Sequence, residues 1–190
     1  VLRDRVPPEA RRDGPRALSD GAPGARAAPR SFVVAPQWIG DAVMAEPLLA
    51  TLAERGETLT VAALPWVAPV FAAIPAVEAT IELPFAHGRL DWSARRRVAA
   101  ALRDRFDVAY VLPNSFKAAL VPWLARIPRR VGYRGEARAV LLTDARDRPR
   151  GRPPMVPFYG ALAGGAFDVA RRPCLAMPRA QIDAAAAAHS

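Results

Sequence analysis

The chain reads as an α/β domain, a Rossmann-like, doubly wound parallel sheet with strand order 3-2-1-4-5. Three observations carry that expectation. Short apolar, β-branched runs recur, as at Phe32-Val33-Val34-Ala35, and are of the kind that strands buried on both faces show. Between them lie segments of helical period, the first placing Ala45, Leu48, Leu49 and Leu52 at i, i+3, i+4 and i+7. Five strands separated by helices imply parallel pairing through right-handed crossovers.

The elements follow in order. Residues 1–30 hold seven arginines and four acids among many Pro, Gly and Ala, without a sustained period. They are expected to be a disordered leader or a misplaced start, with no functional weight. Strand one, 32–35, passes through Pro36-Gln37-Trp38-Ile39-Gly40-Asp41 into a helix over 41–55. Pro47 removes an N–H there and is expected to kink the helix early. Arg55-Gly56 stops it, and strand two follows at 58–64. Pro65 opens a short apolar helix that runs to Ile74 and is closed by Pro75. Strand three, 78–83, leads into a polar loop, 84–91, with His87 and Gly88. The helix over 92–105 is expected to bury Val98, Ala101 and Leu102 and to expose its arginines. Strand four, 107–112, turns through Pro113-Asn114-Ser115 into a helix ending at Ala125, and a short strand five occupies 130–133. Beyond Glu136 the pattern decays: 126–152 carries nine arginines against three acids. An apolar helix over 155–163 packs back on the sheet, 171–178 is extended, and 180–188 is an alanine helix.

At 190 residues the chain can hold one good-sized domain, or one and the start of another. Apolar residues make up 52%, enough for a substantial core. The net charge of +9 rests on arginine, Lys117 being the only lysine, and that usage together with abundant Ala and Pro reflects base composition. A basic surface still favours anionic partners such as phospholipid, phosphorylated glycan or nucleic acid. Cys174 is the only cysteine, so no internal disulfide forms, as suits a reducing compartment. The longest uncharged run, 62–77, is broken by Pro65, Pro69 and Pro75 and is too short to span a bilayer. The N-terminus has no apolar core behind its charges, unlike an ordinary signal peptide. A cytosolic protein, peripheral to a membrane, is expected.

Chemistry is expected where strands one and four meet. The order 3-2-1-4-5 sets their following loops side by side at the switch point, where ligands of open α/β sheets collect. Gly40-Asp41 and Asn114-Ser115-Phe116-Lys117 should then face each other across one crevice. Asp41 is either a helix N-cap or a carboxylate aimed into the crevice as a general base. A helix N-terminus favours its ionised form, which makes it available but weak. Lys117 is either an ordinary surface lysine or a cation for a carboxylate or phosphate; Asn114 and Ser115 are natural N-caps for its helix, and free N–H groups there suit an anion. Trp38 is expected in the core or as a crevice wall. Arg126, Arg129, Arg130, Arg134 and Arg138 form a solvated face or, with Trp123 and Tyr133, a nucleic-acid surface, although no recognised nucleic-acid motif accompanies them. A non-catalytic module that binds anionic lipid or nucleic acid is thus the alternative to an enzyme. His87 is a loop histidine without nearby partners.

Absences narrow the choice. No G-x-G-x-x-G follows strand one and no G-x-x-x-x-G-K-[ST] occurs, which disfavours a nucleotide-dependent oxidoreductase or a P-loop enzyme. There is no Asp-x-Asp pair of the sort metal-dependent sugar transferases use, and two histidines with one cysteine argue against zinc. A Ser-His-Asp arrangement would need His87 or His189, neither in a promising context.

The stretches APQWIGDAVMAEPLLATL (35–52), AYVLPNSFKAALVPWLARIPRRVGYRGEAR (109–138) and PMV (154–156) resemble the lipopolysaccharide heptosyltransferases of type II, within the ADP-heptose glycosyltransferase family (family 9, GT-B fold). The likeness covers about 32–180. It implies inverting transfer of heptose from ADP-heptose to the first heptose of the Kdo–lipid A inner core, at the cytoplasmic face of the inner membrane and without metal or another cofactor. The family's Gly-Asp falls on Gly40-Asp41, with Asp41 as the base that deprotonates the acceptor hydroxyl. Gln37, Trp38, Gly40, Asn114, Ser115, Lys117, Arg134 and Glu136 are the acceptor-binding residues the resemblance implies. Pro47 stands where type II members more often have a polar residue. The resemblance makes 31–165 the N-terminal acceptor domain of a GT-B enzyme and 166–190 a linker with the start of the donor domain. The piece as it stands is therefore expected to be inactive, since donor and acceptor must be held together for displacement.

Overall fold

The computed structural model describes residues 28–85, 90–151 and 153–177, together with Ala187. Six strands form one parallel sheet in the order β3-β2-β1-β4-β5-β6. They are β1 (Arg30–Val34), β2 (Thr58–Ala63), β3 (Val77–Glu82), β4 (Val108–Val111), β5 (Arg129–Tyr133) and β6 (Asp144–Arg146). The five expected strands stand in the expected order, and the sheet already begins at Arg30. The sixth strand was missed because Asp144-Ala145-Arg146 has no apolar signal; it pairs with β5 at Val131, Gly132 and Tyr133. Gly132 suits this crowded position: a Cβ there would meet the Val111 carbonyl oxygen at 3.2 Å and a Leu142 methyl at 3.3 Å.

Period-2 alternation splits the core into two layers. Val33, Val61, Tyr110 and Val131 face α1 (Ile39–Glu54), α2 (Ala68–Ala72) and α5 (Met155–Gly160). Phe32, Val34, Ala109 and Val111 face α3 (Trp92–Leu102) and α4 (Phe116–Leu124). Both faces are thus covered, which explains why β1 and β4 read as unbroken apolar runs.

Helix α1 is continuous through Pro47, a buried residue whose carbonyl accepts a 2.8 Å bond from the Thr51 hydroxyl. The helix begins at Ile39 with Trp38 in the N-cap position, so Asp41 lies in the first turn and is not the cap. Trp38 is 73% exposed, so of its two expected places, core or crevice wall, the core is ruled out. In α3 the arginine expectation fails at one position. Arg95 is buried and Ala101 is exposed. Arg95, Val98, Ala99 and Leu102 share the i, i+3, i+4, i+7 stripe, so the helical period itself carries Arg95 inward. The short helix after Pro65 is confined to Ala68–Ala72, and the helix after 154 ends in a 3-10 turn, Ala161–Ala163. Residues 164–177 run back over α1 and α2. Arg171 forks onto Glu54 at 2.7 and 2.8 Å, the Cys174 amide donates to buried Glu46 at 3.1 Å, and the Ala176 amide donates to the Ala73 carbonyl at 2.8 Å. His87, Gly88, most of the leader and nearly all of the alanine helix lie outside the described residues.

Candidate functional site

Parallel pairing of β1 with β4 sets residues 35–38 and 112–115 next to each other at the sheet's carboxyl edge, the switch point of the fold. The two segments feed helices on opposite faces: α1 covers the Val33 layer and α4 the Phe32 layer. Between the edge and the α3–α4 layer lies a cavity of about 240 Å³. Phe32, Val34, Leu83 and Phe85 line its apolar part, and Gln37, Ser115, Lys117 and Arg95 its polar part. Among the described residues no carboxylate lines it. Of the residues expected at the site, the structure brings Gln37, Ser115 and Lys117 together here. Asp41, Trp38, Gly40, Asn114, Arg134 and Glu136 do not line this cavity.

Asp41 is half-buried, outside this cavity's lining, and near enough to Tyr159 of α5 for its charge to act on that phenol. Burial pushes its carboxyl up from the ordinary carboxylate value. The first turn of a helix favours ionisation and so acts against this burial. The buried phenol of Tyr159 is pushed up as well, by burial first and by the Asp41 charge second. A carboxylate made more basic by its surroundings, at a ligand-binding edge, is what a general base requires. Gly40 beside it is exposed, with open space where a side chain would project. The Gln37 carbonyl accepts from the Trp66 indole N–H at 3.1 Å, and Trp66, like Trp38, is largely exposed at this rim.

The loops after β4 and β5 are joined by Arg138, which has no exposed surface. Its Nε donates to the Tyr133 carbonyl at 2.6 Å, Nη1 to the Pro113 carbonyl, and Nη2 to Asn114 Oδ1 at 3.2 Å. Burial pushes the guanidinium down to about 10, with the Arg148 charge acting in the same direction and Glu136 opposing. Glu136 Oε2 accepts from the Phe116 amide at 3.1 Å, so this carboxylate, and not Asn114 or Ser115, serves the N-terminus of α4. Arg134 pairs with Asp147 at 3.1 Å on the surface. Arg95 is 6% exposed, donates to the carbonyls of Leu90 at 2.5 Å and Lys117 at 2.8 Å, and stacks over Phe85 at 4.2 Å. The arginine cluster is therefore not a uniform solvated face: Arg138 is wholly internal, and half-buried Arg130 donates to the Leu141 and Ile127 carbonyls at 2.7 and 2.5 Å.

Sequence reasoning missed Arg95 and Tyr159 and placed Arg138, which is wholly buried, in a surface cluster. The helical stripe in α3 could have found Arg95; nothing local marks Arg138, whose acceptors come from two other loops. Among the described residues no group of three His, Cys, Asp or Glu side chains converges as a metal site would require.

A family profile for glycosyltransferase family 9 (heptosyltransferase) matches residues 95–189, half of the chain. The chain belongs to glycosyltransferase family 9. Its relatives include lipopolysaccharide heptosyltransferase 2 of Salmonella typhimurium, 44% identical over 136 residues, which is 70% of this chain and 39% of that protein. The solved structure of the E. coli ADP-heptose lps heptosyltransferase II is 34% identical with a TM-score of 0.71, covering 85% of this chain and 50% of that one. A family 9 structure from Veillonella parvula shares the fold at 17% identity and a TM-score of 0.72, covering 85% of this chain and 49% of that one. These neighbours identify the sheet as the Rossmann-like unit of a GT-B glycosyltransferase. The chain spans about two fifths of the length of the curated relatives it matches.

Proposed function

We propose that this chain is the acceptor-side part of an inverting family 9 transferase that moves heptose from ADP-heptose to the heptosyl-Kdo-lipid A inner core of lipopolysaccharide. Asp41 is the base in this reading. It takes the proton of the acceptor hydroxyl as that oxygen bonds to the anomeric carbon, while the carbon–oxygen bond to ADP breaks and its electron pair leaves with ADP. The observation that carries the reading is Asp41 itself, a half-buried carboxyl with raised proton affinity at the carboxyl edge of β1, in a chain of family 9. Gln37, Ser115 and Lys117, which share the neighbouring cavity, hold acceptor groups in this scheme, and Trp38 and Gly40 border its approach to Asp41. Asn114, Arg134 and Glu136 serve the same cleft through the loops after β4 and β5. Residues 31–165 then form the acceptor domain and 166–190 the passage toward a donor domain that takes most of the ADP-heptose contacts. The protein works at the cytoplasmic face of the inner membrane, in peripheral contact with anionic lipid. Among the described residues no helix is long and apolar enough to cross a membrane.

The test is Asp41→Asn in a full-length enzyme carrying this chain. Losing a general base costs about 10²–10⁴-fold in kcat. Because the fold disfavours the ionised carboxylate, the neutral amide should not lower the melting temperature at pH 7. Loss of transfer with the melting temperature unchanged or raised is the expected result; a variant retaining more than about a tenth of the rate removes Asp41 from the chemistry.

A further inference from the structure

The outer face of α3 and α4 carries a second feature that the transfer chemistry does not use. Trp92, Arg96 and Arg103 on the α3 side and Trp123, Leu124 and Arg126 on the α4 side line a groove of about 500 Å³. The two indoles are 44% and 41% exposed, and the three arginines are exposed. On α3 Trp92 and Arg96 stand one turn apart on one side of the helix, beside the buried Ala99, and Arg103 follows directly after its last residue, Leu102.

The groove is lined by positive charge. Five arginines elsewhere find acids, in the pairs Arg30–Asp107, Arg129–Asp144, Arg134–Asp147, Arg146–Asp144 and Arg171–Glu54 among the described residues, while exposed Arg97, Arg105, Arg148, Arg150 and Arg172 are in none of these pairs and have no indole-lined groove beside them. Arg96, Arg103 and Arg126 take part in none of the pairs, and among the described residues no carboxylate lines the groove. Asp91 and Asp104, next to the two ends of α3, stand outside its lining. Three like charges in one groove repel one another unless an anionic partner sits against them. Indoles beside them call for a partner that also offers an apolar layer, with room for the indole N–H in a wet zone.

We propose that this α3–α4 face docks on a bilayer surface containing anionic phospholipid, with the arginines on lipid phosphates and Trp92 and Trp123 in the headgroup layer. One surface supplies both chemistries at the required depth. A nucleic-acid duplex would match the arginines but leaves Leu124 and the indole faces against a polar backbone. The inference rests on the peripheral-membrane part of the proposed function, and it specifies the surface responsible.

The experiment is co-sedimentation of the 190-residue chain with vesicles of phosphatidylglycerol and phosphatidylcholine, against vesicles of phosphatidylcholine alone. Binding only to the anionic vesicles is expected. Arg96→Gln with Arg103→Gln and Arg126→Gln should lower partitioning by about fivefold for each arginine, roughly a hundredfold together. A charge-matched control, Arg148→Gln with Arg150→Gln and Arg172→Gln, should lose much less, because those exposed arginines lie away from the groove. Trp92→Ala with Trp123→Ala should weaken binding further while the thermal melt stays unchanged, both side chains being half-exposed. Equal loss in the control triple, equal binding to neutral vesicles, or displacement by a DNA duplex that depends on the same residues would each overturn the proposal. In a full-length enzyme the groove variants should keep their rate on detergent-dispersed acceptor. Absence of transfer in the unmodified enzyme would count against the transferase reading alone, and leaves the vesicle result to stand or fall separately.

Discussion

Arg138→Met tests whether a buried cation organises the carboxyl edge. Methionine matches the length of the arginine stem but carries no donor, so the Tyr133 and Pro113 carbonyls and the Asn114 amide oxygen lose their partner together. Hydrogen bonds from a charged group contribute about 1.5–3 kcal/mol each, giving a gross loss of roughly 5–9 kcal/mol for three. Against this stands relief of the burial that depresses the guanidinium to about 10, an offset on the order of 3 kcal/mol. The balance is a loss of about 2–6 kcal/mol, which for a domain of this size lowers the melting temperature by about 10 °C. Circular-dichroism melts and urea titrations at pH 7 measure it directly. Hydrogen exchange should locate the damage, with amides of 114–117 and 134–138 losing protection first. Arg138→Lys should recover little, since one ammonium cannot reach acceptors on two loops in the geometry of a planar fork. A melting temperature for Arg138→Met within about 2 °C of the parent would refute the reasoning, because it would mean the three acceptors are satisfied without the guanidinium.

Two further outcomes follow from the same structure. Glu46 is 4% exposed and its carboxyl is pushed up, chiefly by burial and against the Cys174 amide and the Arg171 charge, which lower it. The folded state therefore holds this proton to higher pH than the unfolded chain, and ionised Glu46 costs stability at neutral pH. Glu46→Gln should melt at or above the parent temperature at pH 8, with the advantage shrinking as the pH falls through the raised value; a melt lowered at pH 8 and equal at pH 4 would contradict this sign. Gly160 seats the Phe167 ring, and a Cβ there would overlap it. Gly160→Ala should displace that ring and loosen the strand over α1, read as faster proteolysis within 164–177 and a loss on the order of 1–3 kcal/mol in urea melts.

The parallel sheet was legible in the sequence because burial on both faces writes itself as apolar runs, and the crossover rule leaves few ways to connect them. Strand order, the switch-point edge and the presence of Asp41 there follow from local pattern plus topology. β6 escaped because its three residues, Asp144-Ala145-Arg146, owe their strand conformation to pairing with β5 and not to their own propensity. The expectation that arginines mark solvated surface failed where distant acceptors wait. Arg95 needs the Leu90 and Lys117 carbonyls and the Phe85 ring, and Arg138 needs Pro113, Asn114 and Tyr133.

What the sequence alone determined was which residues reach the edge of the sheet, since that is set by strand length and turn position along one chain. Only the tertiary structure decided which of them come together. Lys117 and Gln37 share a cavity with the α3–α4 layer, while Asp41 lies outside its lining, near enough to Tyr159 of α5 for its charge to act on that phenol. The reason is physical: hydrophobic periodicity is read over a few turns of one segment, whereas desolvation and hydrogen-bond partners are supplied by segments tens of residues away, brought close only when both faces of the sheet are covered.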